Sequence, residues 1–299
     1  MRLSINLASA IPRYDVEGAI ALYKNAGFDA MDFSLCDIIY EESAFYKDGW
    51  RSEAQRVRAI SDRIGLPVNQ THTPFRFTRA QFENNWDFVY EQTVKSLEIS
   101  AILGASIAVV HPIHYMTYHG YEEEIFERNM AFYKSLIPYC RDYGIKIGVE
   151  NMWQRDARRG CIIADTCSRS QEFIRYIDTL DSEYLVACLD VGHVGLPLTD
   201  EEAEDVIRAL GHDRLKALHV HDNNYKDDQH LLPFMGKMNW SEITKALGQI
   251  DYTGDFTYEV KGTFVDIADA AFAPVGAEFM AKIGKHLCSL VEQNRVKQN

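Results

Sequence analysis

The chain has 299 residues, room for one large α/β barrel of about 250 residues or for two ordinary domains. Its 46% apolar and 25% charged content is that of a globular protein with a sizeable core. The 31 basic and 44 acidic residues leave a net charge of -13, which excludes broad, non-specific attraction to nucleic acid or anionic membrane, though not a local basic groove.

Strand-like and helix-like segments alternate along the whole chain. The first strand is expected over Leu3 to Leu7, followed by a helix capped near Asp15 and stopped by Gly27. The second strand spans Ala30 to Leu35, and a helix runs from about Ser52 to Gly65. Pro67 to Thr71 is the third strand, and a long helix covers about Asn85 to Leu103. Ser106 to Val110 is the fourth strand, before a helix from Glu122 to Tyr143. Ile145 to Val149 is the fifth strand, and Ser170 to Leu180 is helical. Leu185 to Leu189 is the sixth strand, with a helix from Asp200 to Leu210 ending at Gly211. Leu215 to Leu218 is the seventh strand, Trp240 to Leu247 a short helix, Asp255 to Tyr258 the eighth strand, and Gly276 to Glu292 the last helix.

These are eight βα units whose strands alternate little, as strands covered on both faces do. No Pro-, Ser- or Gly-rich stretch marks a linker, so residues 1–299 are expected to form one (β/α)8 TIM barrel. A doubly wound open sheet would carry a glycine-rich turn after the first strand. That turn reads Ala8-Ser9-Ala10-Ile11-Pro12 and has no glycine.

The six cysteines are scattered, with no Cys-x-x-Cys pair, and the N-terminus opens as a strand rather than as a signal peptide. A reduced, cytoplasmic protein is therefore expected. No uninterrupted apolar run reaches the roughly 18 residues of a membrane span. Arg155, Arg158 and Arg159 form a weak basic cluster that reads as a solvated loop.

Five apolar runs end in a residue able to hold a metal: Val110-His111, Val149-Glu150, Leu189-Asp190, Leu218-His219 and Tyr258-Glu259. In a parallel barrel the C-terminal strand ends converge on the face where such barrels carry their active sites. Any one of these residues alone is as well explained as a solvated loop acid or a core histidine. Together they point to a metal centre.

Glu150 and Glu259, on strands five and eight, would face each other across a ligand. One could remove a proton from carbon and the other deliver one while both hold a cation. Asp190-Val191-Gly192-His193 can place two ligands on one turn. Period-two geometry sets His219 and His221 on one side and Asp222 on the other, leaving Asp222 and Asn223 to orient the histidines. His72, Asp228 and His230 are further candidates, which makes more than one ion conceivable. Two Glu, one Asp and one His suit Mn²⁺, Mg²⁺ or Co²⁺, and recruiting the other histidines moves the preference towards Zn²⁺.

Trp50, Phe75, Phe77, Tyr115 and Trp153 follow strand ends, where they either stack on a sugar or simply pack between loops. No P-loop, nucleotide fingerprint or Ser-His-Asp order stands out, so no organic cofactor is expected.

The chain resembles the xylose-isomerase-like barrel superfamily, which includes ketose 3-epimerases, inosose dehydratases, hydroxypyruvate isomerases and endonuclease IV. The resemblance rests on Gly148-Val149-Glu150-Asn151, Leu189-Asp190-Val191-Gly192-His193, His219-Val220-His221-Asp222-Asn223, Asp228-Gln229-His230 and Tyr252-Thr253-Gly254-Asp255-Phe256 leading to Glu259. By resemblance to the ketose epimerases, Glu150, Asp190, His219 and Glu259 bind one divalent metal, Glu150 and Glu259 act as acid and base, and His193 contacts the substrate. Trp153 is expected beside it. Tyr225 departs from that group, in which an arginine helps bind the sugar.

Endonuclease IV uses a trinuclear zinc cluster. His72, His111, Glu150, Asp190, His193, His219, Asp228, His230 and Glu259 match its ligands, while the acidic balance and the His230 to Trp240 stretch are closer to the sugar enzymes. The expected function is a metal-dependent isomerase or epimerase of a small sugar or polyol ketone. An inosose-type dehydratase, an endonuclease IV-like zinc phosphodiesterase acting on abasic DNA, and a metal-free binding protein are the alternatives. The expected partner is thus a small sugar or polyol, with no membrane and no nucleic acid. A homo-oligomer is left open.

Overall fold

The computed structural model describes residues 1–295 apart from 76, 78, 198, 262 and 268. In chain order its elements are β1 (Leu3–Asn6), α1 (Ile11–Ala26), β2 (Ala30–Ser34), α2 (Trp50–Ile64), β3 (Val68–His72), α3 (Arg79–Asn84), α4 (Trp86–Leu103), β4 (Ile107–Val109), α5 (Glu122–Tyr143), β5 (Lys146–Glu150), β6 (Trp153–Asp156), β7 (Cys161–Ala164), α6 (Ser170–Thr179), β8 (Leu185–Asp190), α7 (Val191–Val194), α8 (Ala203–Arg214), β9 (Leu215–His219), α9 (Trp240–Gln249), β10 (Phe256–Tyr258), α10 (Phe264–Ile267) and α11 (Ala273–Gln293).

Eight parallel strands pair in the order β10-β1-β2-β3-β4-β5-β8-β9. The ring closes between β9 and β10, where the Val220 amide donates to the Thr257 carbonyl at 2.8 Å and the Glu259 amide to the Val220 carbonyl at 3.1 Å. This is the expected single-domain (β/α)8 TIM barrel. The helices bury their apolar stripes against the outside of the strands, as α5 does with Phe126, Tyr133 and Leu136 and α11 with Met280, Leu287 and Val291. Among the described residues no helix is long and apolar enough to cross a membrane.

Local chemistry accounts for several boundaries. Asp15 sits at φ 50 and breaks α1, and its carboxylate accepts from the Gly18 amide at 2.9 Å, so it caps the longer part of the helix as expected. Gly27 closes α1 at φ 105, a conformation that glycine adopts without a steric penalty.

Helix starts are less legible. α2 begins at Trp50 rather than Ser52, and α11 at Ala273 rather than Gly276. The Arg155–Arg159 segment is not a plain loop. β6 and β7 form an antiparallel hairpin, in which Arg159 pairs with Asp156 at 2.7 Å and Arg155 with Asp227 at 3.5 Å. Acidic neighbours therefore offset two of the three arginines.

Candidate metal centre

The barrel brings the C-terminal ends of β5, β8, β9 and β10 together. Glu150, Asp190 and His219 are the last residues of their strands and Glu259 follows β10 directly. One ligand atom from each of the four lies within 4.8 Å of all the others. His219 Nδ1 is 3.2 Å from Glu150 Oε1, 3.4 Å from Glu259 Oε2 and 4.0 Å from Asp190 Oδ2. Glu150, Asp190 and His219 are buried, and Glu259 is partly open to the barrel mouth.

Three further groups adjoin this one, among them Asp32 with His72 and His219. On the side of β3 and β4, His72, His111 and Glu150 form a cluster, with His111 Nε2 2.8 Å from Glu150 Oε2. On the side of β8 and β9, His193, His221, Asp228 and His230 form another. His221 Nε2 is 3.0 Å from Asp190 Oδ1, His230 Nε2 is 3.0 Å from Asp228 Oδ2, and the His221 and His230 rings stack at 4.1 Å.

Backbone carbonyls fix two of these rings. His193 Nδ1 lies 2.8 Å from the Asn151 carbonyl and His230 Nδ1 2.7 Å from the Glu259 carbonyl. A carbonyl only accepts, so each Nδ1 carries a proton and each Nε2 is left to meet a carboxylate or a cation. Asn151 also holds Asp190 by its backbone, donating to its carbonyl at 3.0 Å and accepting from its amide at 2.7 Å. The Asp190 side chain in turn accepts from the His193 amide at 3.0 Å and caps α7.

The donor set fits a divalent cation. Among the described residues, His111 Nδ1 and Nε2, Glu150 Oε2, His219 Nδ1 and Asp228 Oδ1 are buried without a hydrogen bond. Buried polar atoms seldom stay unsatisfied, and close approach without hydrogen-bond alignment is how donors sharing a cation stand. Burial alone would push the Glu150 carboxyl up, but His111 and His219 hold it well below the usual carboxylate range. Asp190 likewise resists burial through His193 and His221 and is held at about 2. Burial disfavours a charged His72 ring, yet Asp32 beside it raises its pKa to about 10.

Above these residues lies a cavity of about 310 Å³ whose lining includes Phe75, Glu150, Trp153, His193, Glu259 and Lys261. Trp153 stands edge-on to His193 at 6.2 Å, and Phe75 stacks on His111 at 4.3 Å. Phe77 and Tyr115 line a neighbouring cavity instead. Trp50 is elsewhere, between α2 and α4 under the Arg51 and Lys95 cations at 4.1 and 5.5 Å.

Asp222 and Asn223 do not orient the histidines. Asp222 accepts from Trp240 Nε1 at 2.8 Å and from the Phe234 and Met238 amides, and so folds the loop before α9. Asn223 donates to the Gly192 carbonyl. Tyr225 sends its hydroxyl to Glu202 at 3.0 Å. The orienting acid is instead Asp32, fully buried on β2 and 2.8 Å from His72 Nδ1. A charged residue inside the apolar run Ala30-Met31-Asp32-Phe33 was the available signal. His114, 3.0 Å from buried Asp165, also lines the cavity. Asp165 lies 51 residues further on in a polar stretch, with no pattern linking the two.

Residues 20–282 match the family model described as xylose isomerase-like TIM barrel. Among characterised and uncharacterised relatives, the chain is 30% identical over 160 residues to the uncharacterized protein MJ1311 of Methanocaldococcus jannaschii, covering 53% of this chain and 52% of that one. It is 29% identical over 232 residues to the uncharacterized protein y4fM of Sinorhizobium fredii, covering 70% and 71%. The match thus spans about half the length of the first of these relatives. A D-psicose 3-epimerase of Enterocloster bolteae is 35% identical over 92 residues, 31% of this chain and 27% of that one. Among solved structures, a D-tagatose 3-epimerase-like protein superposes with TM-score 0.74 at 21% identity, covering 98% and 99% of the two chains. The IOLI protein with a bound zinc atom does so with TM-score 0.70 at 14% identity, covering 98% and 99%.

Proposed function

The chain belongs to the xylose isomerase-like TIM barrel family, and from that premise we propose that it is a divalent-metal-dependent isomerase or epimerase of a small sugar or polyol ketone. The observation that carries this reading is the meeting of Glu150 and Glu259, from strands three positions apart in the ring, with Asp190 and His219 beneath a cavity of about 310 Å³. The epimerases named among the relatives and solved structures support the substrate class.

Glu150, Asp190, His219 and Glu259 would hold the cation. Bound there, it supplies positive charge to the negative charge that develops on adjacent carbonyl and hydroxyl oxygens. One glutamate takes the proton from the carbon between those oxygens, giving an enediolate. The other returns a proton to the opposite face and inverts the centre. Although burial pushes both carboxyls up, the neighbouring histidines keep them below the usual range, so the glutamate that takes the proton is ionised near neutral pH, while the one that returns a proton must first acquire it from solvent or substrate. His193 presents Nε2 to a substrate hydroxyl, and Trp153 offers a flat wall to the sugar's apolar face.

The test is a panel of ketoses and polyol ketones in D₂O with Mn²⁺, Mg²⁺, Co²⁺ or Zn²⁺. Deuterium is expected at the carbon beside the carbonyl, with exchange and metal affinity both lost in Glu150→Gln. Substrate labelled at that carbon guards against a shielded base. A label carried intact to the neighbouring carbon means a hydride shift and overturns the glutamates' role.

A second reading has its own support. The three clusters together include every residue matching the ligands of a trinuclear zinc phosphodiesterase. Metal-dependent incision of duplex DNA at an abasic site, lost in Glu259→Gln, would establish it over the sugar reading. The net charge of -13 and the pairing of Arg155 and Arg159 with carboxylates weigh against it.

A further inference from the structure

Two more cavities lie in succession outwards from the candidate metal centre on the side of β3 and β4. The first, of about 360 Å³, shares Phe75, His111 and His114 with the cavity over the ligands. The second, of about 560 Å³, shares Phe82, Ile113, Tyr115 and Phe132 with the first and continues outwards past Trp86. The three adjoin in sequence, from the candidate metal-binding carboxylates to the rim between α3, α4 and α5.

The series changes character along its length. Around the metal centre the walls are carboxylates and imidazoles. Beyond His114 they are rich in aromatic rings, with Asp87, Arg128 and Ser135 at the outer end: Phe82 lies parallel to Tyr115 with centroids 4.7 Å apart, and Trp86 meets Phe132 edge-on at 5.5 Å. A sugar's hydroxyls need hydrogen-bonding partners once they leave water, and the inner of these two cavities, walled by Phe75, Phe77, Phe82, Val89 and Phe132, offers few. Flat apolar rings, in contrast, gain from both burial and ring stacking there. A void of about 150 Å³ already accepts a benzene-sized molecule, so the inner aromatic cavity has room for more than one ring.

Where the two characters meet stands His114. Its Nδ1 is 3.0 Å from Asp165, which is fully buried and also accepts from the Thr166 amide at 2.7 Å. That pairing fixes the imidazole and leaves Nε2 as the polar group at the junction.

We propose that the substrate is a glycoside of a keto sugar: a sugar unit with a ring ketone over the candidate metal-binding carboxylates, carrying an aromatic aglycone in the inner cavity walled by Phe77, Phe82, Tyr115 and Phe132. The His114 Nε2 meets the oxygen that links the two parts. This rests on the sugar reading of the metal centre and specifies the class of sugar derivative.

Matched pairs test it: phenyl and methyl β-D-glucopyranoside, and phenyl and methyl β-D-galactopyranoside, titrated by calorimetry into the full chain with Mn²⁺ present. In at least one pair the phenyl glycoside is expected to bind tighter by a factor of about ten or more, the worth of burying one ring against aromatic walls. That ratio should fall towards one in Phe82→Ala and in the milder Phe82→Leu, which keeps an apolar side chain should the alanine variant fold poorly.

Equal affinity of phenyl and methyl partners in both pairs, or no binding of either, overturns the aglycone cavity. The outcome is separable from the proposed chemistry. Solvent exchange into simple ketoses without a phenyl preference removes the cavity's role and leaves the isomerase standing. A phenyl preference without any solvent exchange does the reverse.

Discussion

The two sides of the barrel interior are built from opposite materials. Under Glu150, Asp190 and His219, the inward residues of β4, β8 and β9 make a small apolar plug of Ile107, Val109, Val186, Cys188 and Ala217. Across the axis, β10, β1, β2 and β3 carry a continuous hydrogen-bonded chain. Ser4 donates to Asn69 at 2.8 Å, Asn69 to Thr257 at 3.1 Å, Thr257 to Gln70 at 3.3 Å and Gln70 to Asp32 at 3.4 Å. Asp32 then accepts from Asn6 at 3.1 Å and meets His72 at 2.8 Å. One side sets its ligands by close packing, which tolerates no change of volume. The other sets them by polar pairing, which tolerates no change of charge.

The largest way to break the contrast is to add volume to the packed side. A Cβ on Gly148 would stand 3.1 Å from both Cys188 Cβ and Ile107 Cγ2. Gly148→Val should therefore lose about 3 kcal/mol of stability by overpacking, read as the shift of the urea midpoint. A variant as stable as the parent would mean that the plug yields.

The outer helix layer provides a reference in which ionisation acts on stability without touching the site. Burial lifts the Glu172 carboxyl to about 7, against hydrogen bonds from the Tyr118 hydroxyl at 2.8 Å and the Cys167 amide at 2.9 Å. Between its ordinary 4.5 and about 7 the folded chain keeps a proton that the unfolded chain has released. This contribution is therefore full below the ordinary value and declines as pH rises through 7, by on the order of 2–3 kcal/mol. Glu172→Gln should flatten that slope, matching the parent near pH 4 and exceeding it near pH 8 in denaturant melts. A slope unchanged by the substitution would assign it to other groups.

The smallest effect sharpens the polar side. Asp32→Asn keeps the shape but weakens the hold on His72, so Mn²⁺ or Zn²⁺ affinity should fall by about tenfold to a hundredfold, measured by calorimetry. Stability should move far less than in Gly148→Val. If stability collapsed and metal affinity did not, the polar chain would be scaffolding rather than ligand support.

Much of this molecule can be read from the chain in one dimension. Apolar runs that end in His111, Glu150, Asp190, His219 and Glu259 record the strands and their register together, because a strand end and its ligand are adjacent in sequence. Residues that act through neighbours far along the chain leave no such trace. Asp32 reaches His72 across a strand pair, Asp165 reaches His114 over 51 residues, and the β6–β7 hairpin forms where the arginines alone suggested a loop. Asp222 errs in the other direction. Its place next to His221 suggests a partner, yet strand alternation turns it outwards to Trp240.

The sequence by itself determined the eight βα units, the barrel and the face on which the ligand residues gather, since hydrophobic periodicity and chain order fix these locally. Only the tertiary structure decided that those candidate ligands divide into adjoining clusters, that Asp32 and Asn151 orient them, and that a cavity lined by carboxylates and imidazoles adjoins one rich in aromatic rings. Each of these depends on distances between side chains from different strands and helices, and closure of the barrel sets such distances through packing and register rather than through any local pattern.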